Sequence, residues 1–440
     1  MHIYSQLFAV LAFGEAFALA ATTKAKTCTT SLTPKYAAPS LASGYVARLV
    51  ATGLTTPRSI KFDTNGALLV VESGVGVTAL TLDESNPSCV IEKSRKVVVA
   101  NNALNHGLEL SPAGTTLYAS DTGSAYAWSY SASKQSATSR KTIINNMTNS
   151  DHTTRSLLLP KSAPGVLVVS RGSNSNLDPT SENISSGTAQ VKAFNITNIK
   201  QPLGFTSSGK LLGWGLRNDV GLAEEPKGGG IYTVENSADQ ITRNGVDIHN
   251  TNPSEEMNFL GYLNGKSSPN QGRNFGYPEC FTAWSPSTIP AFKGKVGQQF
   301  AIGTIGPGNN DKLCSNKYKQ QAALGFHPHM APLSILFNPS GDTGWVTFHG
   351  SWDSTVPVGY KLSQVDFAKG APVQPSNSTT AAIDIMSNAN TANCYNTTCF
   401  RPVGLAWDKN GNLFMSCDTT GEVYVILRTD GKPTNSPRSS

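Results

Sequence analysis

The sequence predicts an all-β fold, a six-bladed β-propeller with long loops on its top face. Two observations support this: a strand–turn–strand unit that is clearest at residues 401–418, and its recurrence along the chain. The composition agrees. Charged residues are 15% of the 440 residues, below the usual quarter, and glycine occurs 40 times. Repeats of about 40–50 residues that begin with such a hairpin are typical of propeller blades.

The repeating unit is a β-hairpin. Val403, Leu405 and Trp407 alternate with small residues, as in a half-buried strand. The turn Asp-Lys-Asn-Gly follows, in which Gly411 is free to adopt a positive φ. An apolar stretch at residues 413–415 then returns as the second strand.

Six copies of this unit predict six blades. A polar residue leads into each first strand: Arg58, His106, His152, Arg217, His329 and Arg401. A polar turn follows each second strand, beginning at Glu72, Asp121, Arg171, Asn236, His349 and Asp418. Several spacings are longer than a blade needs, which indicates insertions in the top-face loops. The first strands of a propeller line its channel, so we expect both sets to form rings around one end of the axis.

The chemistry of the first ring suits a flat, anionic ligand. It combines three arginines with three histidines, and arginine offers carboxylates a rigid fork of donors. The alternative is that strand-entry positions are polar only because they face solvent.

The chain begins with a predicted secretory signal at residues 1–20. Residues 7–13 form a short apolar core, too short for a membrane span, and Ala-Leu-Ala at 18–20 is a small-residue cleavage site. We therefore expect a secreted, extracellular protein with no membrane association. Residues 21–428 are predicted to form one propeller domain, and residues 429–440 a disordered tail.

Charge and glycosylation patterns fit a secreted propeller. The net charge is +6 without a basic run, so nucleic acid is not an expected partner. Sequons predict surface loops in a secreted glycoprotein. The five sequons begin at Asn146, Asn183, Asn195, Asn377 and Asn396.

Seven cysteines in an oxidising compartment predict disulfides. Their spacings match no zinc pattern. We predict the pairs Cys28–Cys89, Cys280–Cys314 and Cys394–Cys399, with Cys417 unpaired.

Two stretches contain the candidate catalytic residues. His152 is a candidate general base, because an unperturbed histidine titrates at a pKa of about 6.5, and Asp151 could orient or polarise it. The alternative is a hydrogen-bonded channel histidine. Arg217 and Asn218 supply a guanidinium and an amide for a carboxylate or an oxyanion.

A cation site is predicted at the turn of residues 235–239. Its carbonyls and carboxylates could hold Ca²⁺, which takes six to eight oxygens, with support from residues 254–258. An ordinary surface turn is the alternative. His327 and His329 flank a proline and would point to opposite faces of a strand, so we expect only one of them in the pocket. The insertion at residues 240–326 is predicted to cap the ring face.

Taken together, these stretches resemble the soluble quinoprotein sugar dehydrogenases, in particular the fungal pyranose dehydrogenases that depend on pyrroloquinoline quinone (PQQ). The likeness spans about residues 54–427. Its motifs are Asp151-His152 with Arg155, Leu216-Arg217-Asn218 with residues 221–223, residues 234–236, residues 272–278 (Gly-Arg-Asn-Phe-Gly-Tyr-Pro), residues 348–352 (Phe-His-Gly-Ser-Trp) and residues 401–404 (Arg-Pro-Val-Gly).

The resemblance implies a six-bladed quinoprotein that oxidises pyranose sugars with PQQ and Ca²⁺. His152 would be the base and Arg217 its catalytic partner, and the carbonyls of Ser237 and Ala238 would bind the metal. The implied cofactor-binding residues are Arg58, Asn105, His106, Asn174, Arg217, Asn218, His329, His349, Trp352 and Arg401. A cytochrome domain or a lytic polysaccharide monooxygenase would be the redox partner.

Two other functions remain open on the sequence. A calcium-dependent lactonase or esterase propeller would need a ring of Glu, Asn and Asp on the axis, whereas the blade heads here are Arg and His. A non-catalytic propeller that binds a glycan or a protein would leave that ring unexplained.

Overall fold

The fold is a six-bladed β-propeller, as predicted. The structure is a computed structural model that describes residues 28, 31–86, 89–306, 308, 310–395 and 398–437. The predicted signal segment lies outside the described residues. Each blade is an antiparallel sheet of four main strands.

Blades 1 to 3 follow one another along the chain. The strands of blade 1 are Pro57–Phe62, Leu68–Glu72, Gly76–Asp83 and Ile91–Ala100. Those of blade 2 are Leu108–Leu110, Thr116–Ser120, Ala125–Ser131 and Ser136–Asn145, with Leu203–Gly204 added in parallel at the outer edge. Those of blade 3 are Leu157–Leu158, Val166–Arg171, Gln190–Asn195 and Lys210–Trp214, with Arg273–Asn274 added in parallel.

Blades 4 to 6 complete the ring. The strands of blade 4 are Asp219–Glu224, Gly230–Glu235, Glu255–Tyr262 and Leu324–Phe326. Those of blade 5 are Pro332–Phe337, Thr343–Phe348, Lys361–Ala368 and Ile383–Ser387, with Ala371–Pro372 and Ser40–Leu41 as short additions. Those of blade 6 are Pro402–Trp407, Leu413–Cys417, Glu422–Arg428 and Tyr45–Ala51.

The two ends of the chain close the propeller. The fourth strand of blade 6, Tyr45–Ala51, comes from the start of the described chain and pairs with Glu422–Arg428. The first strand of every blade contacts the first strands of both neighbouring blades, so these six strands form a closed ring around the axis. The loops that enter the first strands are thereby brought together at one end of the channel.

The core lies between neighbouring blades. Separate clusters of buried apolar side chains fill the six interfaces, such as Leu69 and Trp128 between blades 1 and 2. Val220, Leu333 and Val403 meet near the axis itself. Each sheet buries both of its faces. The sequences of the middle strands are therefore continuous apolar runs and do not alternate between apolar and polar residues.

The insertion at residues 240–326 is more ordered than a capping loop. It contains the two outer strands of blade 4, and two small hairpins: Thr242–Arg243 with Val246–Asp247, and Cys280–Thr282 with Gln299–Ala301. The described chain also has six short 3₁₀ helices: Pro179–Glu182, Ile184–Ser186, His249–Thr251, Pro286–Thr288, Asp311–Cys314 and Thr391–Asn393. None of the described helices is long and apolar enough to cross a membrane.

The predicted disulfides are confirmed. The pairs are Cys28–Cys89, Cys280–Cys314 and Cys394–Cys399, and Cys417 is a buried free thiol. The described part of the predicted tail, residues 429–437, packs on blade 6, in contrast to the disorder expected from its composition. Thr434 is buried and its hydroxyl donates to the carbonyl of Ile426, while the amide of Asn435 donates to the carbonyl of Gly411.

Candidate active site

A polar cavity of about 470 Å³ lies where the loops of the ring converge. This volume is within the usual range for small-molecule sites, about 300–1,000 Å³. The structure brings eight of the predicted site residues to its wall: His152, Arg217, Asn218, Ser237, His329, His349, Trp352 and Arg401.

Five predicted residues do not line this cavity: Arg58, Asn105, His106, Asn174 and Ala238. The Asn105 amide donates to the carbonyl of Thr153, beside the cavity (3.1 Å). His106 lines a larger cavity of about 710 Å³ in the channel, whose walls are mainly the first strands. The methyl group of Ala238 packs into an apolar cluster. Its predicted role as a metal ligand involves the backbone carbonyl instead, and that role stays a prediction.

The ring of His152 is oriented by Ser173. Its Nδ1 lies 2.9 Å from Ser173 Oγ and 3.2 Å from the Ser173 carbonyl oxygen. The hydroxyl of Ser173 donates to the carbonyl of Ser175 (2.8 Å), so both Ser173 oxygens can accept from His152. We therefore assign the proton to Nδ1, which leaves the Nε2 lone pair free. Sequence reasoning gave this orienting role to Asp151, but Asp151 Oδ1 accepts instead from the backbone amide of His152 (2.7 Å).

The electrostatic surroundings keep His152 neutral. Burial and the charge of Arg217 lower its pKa to about 4, against the opposing effect of Asp151. The backbone of His152 is in the left-handed region, with φ 41°. Such a conformation is uncommon outside glycine and must be held by its surroundings.

A buried arginine holds the turn on which His152 lies. Arg155 is 0% exposed, and its guanidinium donates to the carbonyls of Met147, His152 and Thr154. Its side chain therefore supplies hydrogen bonds to backbone carbonyls of an irregular turn, which has no regular backbone pairing of its own.

Arg217 is fixed in the wall of the cavity by several acceptors. Its guanidinium donates to both the carbonyl and the side-chain oxygen of Asn176, to the carbonyl of Asn236 and to Asp239. Its backbone amide donates to Glu235 Oε1 (2.5 Å). The guanidinium thus presents positive charge to the cavity from a rigid position.

A second basic group is built around His349 and Arg401. Asp418 accepts from His349 Nε2 (2.8 Å) and from Arg58 Nη1 (2.6 Å). Burial alone would raise the pKa of Asp418, but these two neighbours outweigh it and hold the pKa far below its usual range. Arg401 donates to the carbonyls of His349 and Gly350 and lies over the ring of Tyr360. Arg58 therefore acts behind the wall of the cavity.

Acidic groups also line the cavity. Glu255 accepts from the amides of Ser237 (2.7 Å) and Ala331 (3.0 Å), and burial raises its pKa to about 7. Burial would lower the pKa of His329, but Asp239 and other hydrogen-bonding and acidic neighbours raise it to about 9. His327, in contrast, packs against Trp284 outside the cavity.

Several residues of the site were not predicted. Ser173, Asn176, His249 and Asp353 contact predicted site residues or line the cavity. Asp353 directly follows the predicted Trp352, which was a usable signal. Nothing local distinguishes the other three from ordinary loop residues.

Fold and site together define a propeller protein with a cation-lined ligand pocket on its axis and a neutral histidine in the wall of that pocket. Comparison with known proteins gives the family. A family model described as TrAA12-like matches residues 39–429. The chain belongs to this family.

Two similar proteins and one solved structure illustrate the relationship. The "Pyrroloquinoline quinone-dependent sugar dehydrogenase" of Hypocrea jecorina is 43% identical over 412 residues, covering 92% of this chain and 93% of that protein. The "Pyrroloquinoline quinone-dependent pyranose dehydrogenase" of Coprinopsis cinerea is 38% identical; 89% of this chain matches 55% of that protein's length. The holo form of the PQQ domain of the Coprinopsis pyranose dehydrogenase superposes with a TM-score of 0.84 at 36% identity, covering 91% of this chain and 99% of that domain.

Proposed function

We propose that this protein is a PQQ-dependent sugar dehydrogenase. The observation that carries the proposal is the convergence of Arg217, Arg401 and a neutral His152 on one cavity, in a chain whose relatives are named as such enzymes. The finer proposals are a pyranose substrate, a role for Ca²⁺, and His152 as the base.

The cavity fits PQQ in its charge. PQQ is a flat tricarboxylate, and such a ligand needs cationic and amide donors where water is excluded. Arg217, Arg401 and Asn218 supply them from the wall of the cavity. The hydrogen bonds that Arg217 and Arg401 make to carbonyls hold both guanidinium groups in place before the ligand binds.

The carbonyl oxygens of Ser237 and Ala238 fit a calcium ion. No described residue donates a hydrogen bond to either oxygen, and the turn is held by the contact from the Ser237 amide to Glu255. Carbonyl and carboxylate oxygens are the ligands that Ca²⁺ prefers. Bound there, PQQ and Ca²⁺ would supply a two-electron acceptor and the polarisation of its carbonyl group.

His152 supplies the proton chemistry. Its Nε2 takes the proton of the sugar hydroxyl whose carbon loses the hydride. The hydrogen bond from Nδ1 to Ser173 stabilises the resulting imidazolium and keeps Nε2 directed into the cavity. Asp151 adds favourable charge to that imidazolium.

The first experiment tests PQQ binding and the catalytic role of His152 separately. PQQ is titrated by calorimetry into chelator-treated protein with and without Ca²⁺, and sugar oxidation is followed with an artificial electron acceptor. Wild-type protein and His152→Ala should bind PQQ similarly, while turnover falls by about 10²–10⁴-fold in the variant. Absence of PQQ binding would overturn the dehydrogenase proposal, and unchanged turnover would remove His152 from the mechanism.

We also propose that the protein is secreted and that a one-electron acceptor re-oxidises it. Three disulfides are consistent with an oxidising compartment. A cytochrome domain or a lytic polysaccharide monooxygenase is the proposed acceptor. Stopped-flow reduction of each by the sugar-reduced enzyme tests this, and no reduction of either would exclude both.

A further inference from the structure

His349 and Asp418 form a hydrogen-bonded pair at the wall of the cavity. His349 Nε2 lies 2.8 Å from Asp418 Oδ1 and 3.0 Å from Asp418 Oδ2. His349 lines the cavity, with 19% of its side chain exposed, whereas Asp418 is behind the wall with 8% exposed. Asp418 therefore acts on a ligand in the cavity through its neighbours, and His349 is the neighbour that can change its charge.

The hydrogen bond to Asp418 decides which nitrogen of the neutral His349 ring carries the proton. Burial would raise the pKa of Asp418, but His349 and Arg58 hold it far below its usual range, so its oxygens can only accept. The proton is therefore on Nε2, and Nδ1 has a lone pair. Nδ1 has no hydrogen-bond partner among the residues that the structure describes. This lone pair is left for a ligand.

A lone pair at Nδ1 does not suit the ligand proposed for this cavity. The carboxylates of PQQ accept hydrogen bonds, and the lone pair of a neutral imidazole accepts them too, so the two repel each other. A proton on Nδ1 changes this nitrogen into a charged donor, and charged donors form the stronger bonds to carboxylates. The bond from Nε2 to Asp418 then stabilises the imidazolium.

Without a ligand, the surroundings keep His349 neutral. Burial lowers its pKa, and Asp418 opposes this effect. The positive charges of Arg401 and Arg58 lower the pKa further. His106 is the other titratable group nearby, and its own burial and the charge of Arg58 lower its pKa, so it stays neutral too. An anionic ligand reverses this balance, because its charge offsets that of the two guanidinium groups.

We propose that His349 takes up a proton at Nδ1 when PQQ enters the cavity, and that Asp418 is the positioning residue for this uptake. Asp418 fixes the ring through Nε2 and stabilises the charge that the ring acquires. PQQ is the ligand, so this role of His349 rests on the proposed function. Because the pKa of His349 is higher in the complex than in the free protein, the affinity for PQQ should fall as the pH rises between the two values.

The test counts the protons that are taken up with PQQ. Calcium-saturated protein is titrated with PQQ by calorimetry in buffers that differ in their heat of ionisation, between about pH 5 and pH 8. In the wild-type protein, His349 should contribute about half a proton or more at the pH of maximum uptake. His349→Gln should lose this contribution. Glu255 and His152 also line the cavity, and any protons that they take up remain in this variant.

Two further variants sharpen the comparison. Asp418→Asn keeps an acceptor for Nε2 but removes the charge, so the maximum uptake should move to lower pH, as a purely structural role would not require. His327→Gln is the control, because His327 packs against Trp284 outside the cavity; its uptake should equal that of the wild-type protein. Circular dichroism identifies a variant that does not fold.

The outcomes separate this role of His349 from the proposed function. PQQ binding with equal proton uptake in the wild-type protein and in His349→Gln would overturn the role of His349 alone. An unshifted maximum in folded Asp418→Asn would overturn the role of Asp418. Absence of PQQ binding would overturn both roles together with the proposed function.

Discussion

The protonation of His152 depends on its burial and on two charged neighbours that act in opposite directions. Burial and Arg217 lower its pKa to about 4, and Asp151 opposes them. A base must be unprotonated, so kcat/KM for sugar should be level at neutral pH and fall as the pH drops through about 4. Asp151→Asn removes the charge that favours the imidazolium, so the acid limb should move to lower pH. A limb near pH 6.5 in the PQQ-loaded enzyme would contradict this.

Gly172 is required by the close approach of two site residues. A Cβ at this position would lie 2.7 Å from His152 Cβ and 2.9 Å from Asn218 Oδ1. Gly172→Ala should therefore displace the base and lower turnover by about tenfold or more, since small misplacements at a reacting centre are costly. Gly123 is the matched control from the corresponding turn of blade 2; a Cβ there would meet Thr148 Oγ1 at 3.0 Å and Asp121 Oδ1 at 3.7 Å, and neither residue lines the cavity. Equal turnover in the two variants would exclude this steric role.

Some residues of the cavity could be predicted from the sequence alone, and others could not. His152, Arg217 and Arg401 were identifiable because they precede recurring strands, and this fixes their position on the ring. Asn174 was predicted for the cofactor, whereas Asn176 lines the cavity and accepts from Arg217 (2.8 Å). The path of the loop decides which of the two asparagines faces the cavity. That path cannot be predicted from the hydrophobic periodicity of the sequence.

Among the elements, the turn at residues 146–155 has an unusual means of support. Arg155 is buried and donates to three backbone carbonyls of this turn. Arg155→Met keeps much of the volume but removes these charged hydrogen bonds, so the free energy of unfolding should fall by about 2–4 kcal/mol. Turnover should fall as well, because His152 loses its support.

Thermal unfolding and turnover measure both effects. The comparison is Arg95→Met, which removes an exposed arginine that binds Glu92 and the carbonyls of Thr52 and Gly53. That change should cost less than about 1 kcal/mol. If the two variants unfold alike, the turn does not depend on Arg155.

The hairpins of the blades could be predicted from the sequence, whereas the structure of the insertion at residues 240–326 could not, and the difference has a physical reason. A hairpin is specified locally by alternating side chains and a turn such as residues 408–411. The insertion at residues 240–326 instead extends blades 3 and 4 through pairings such as Arg273–Asn274 beside Lys210–Trp214. Such distant pairings, and with them the position of His249, depend on the completed fold.

For the whole molecule, the count of six blades followed from the repeats, but the closure of the ring did not. The closing strand Tyr45–Ala51 pairs with Glu422–Arg428, almost the full length of the chain away. No short connection joins these two strands, so the ring could open within blade 6, between the closing strand and Glu422–Arg428. The disulfide Cys28–Cys89 ties the segment before the closing strand to blade 1, because Cys28 precedes that strand and Cys89 precedes the last strand of blade 1. The closing strand is therefore attached to blade 1 at both of its ends.

Removal of this disulfide should therefore destabilise the protein more than removal of Cys394–Cys399. The two bonds close loops with sequence separations of 61 and 5 residues. Loop-closure entropy then predicts losses of about 4 and 2 kcal/mol in the free energy of unfolding. Double Cys→Ser variants of each pair, compared by thermal unfolding and by limited proteolysis of the segment before the closing strand, measure the difference. Proteolysis should accelerate only in the Cys28/Cys89 variant, because only that change frees the segment that leads into the closing strand. An equal or larger loss of stability in the Cys394/Cys399 variant would show that the ring is closed by strand pairing and blade packing alone.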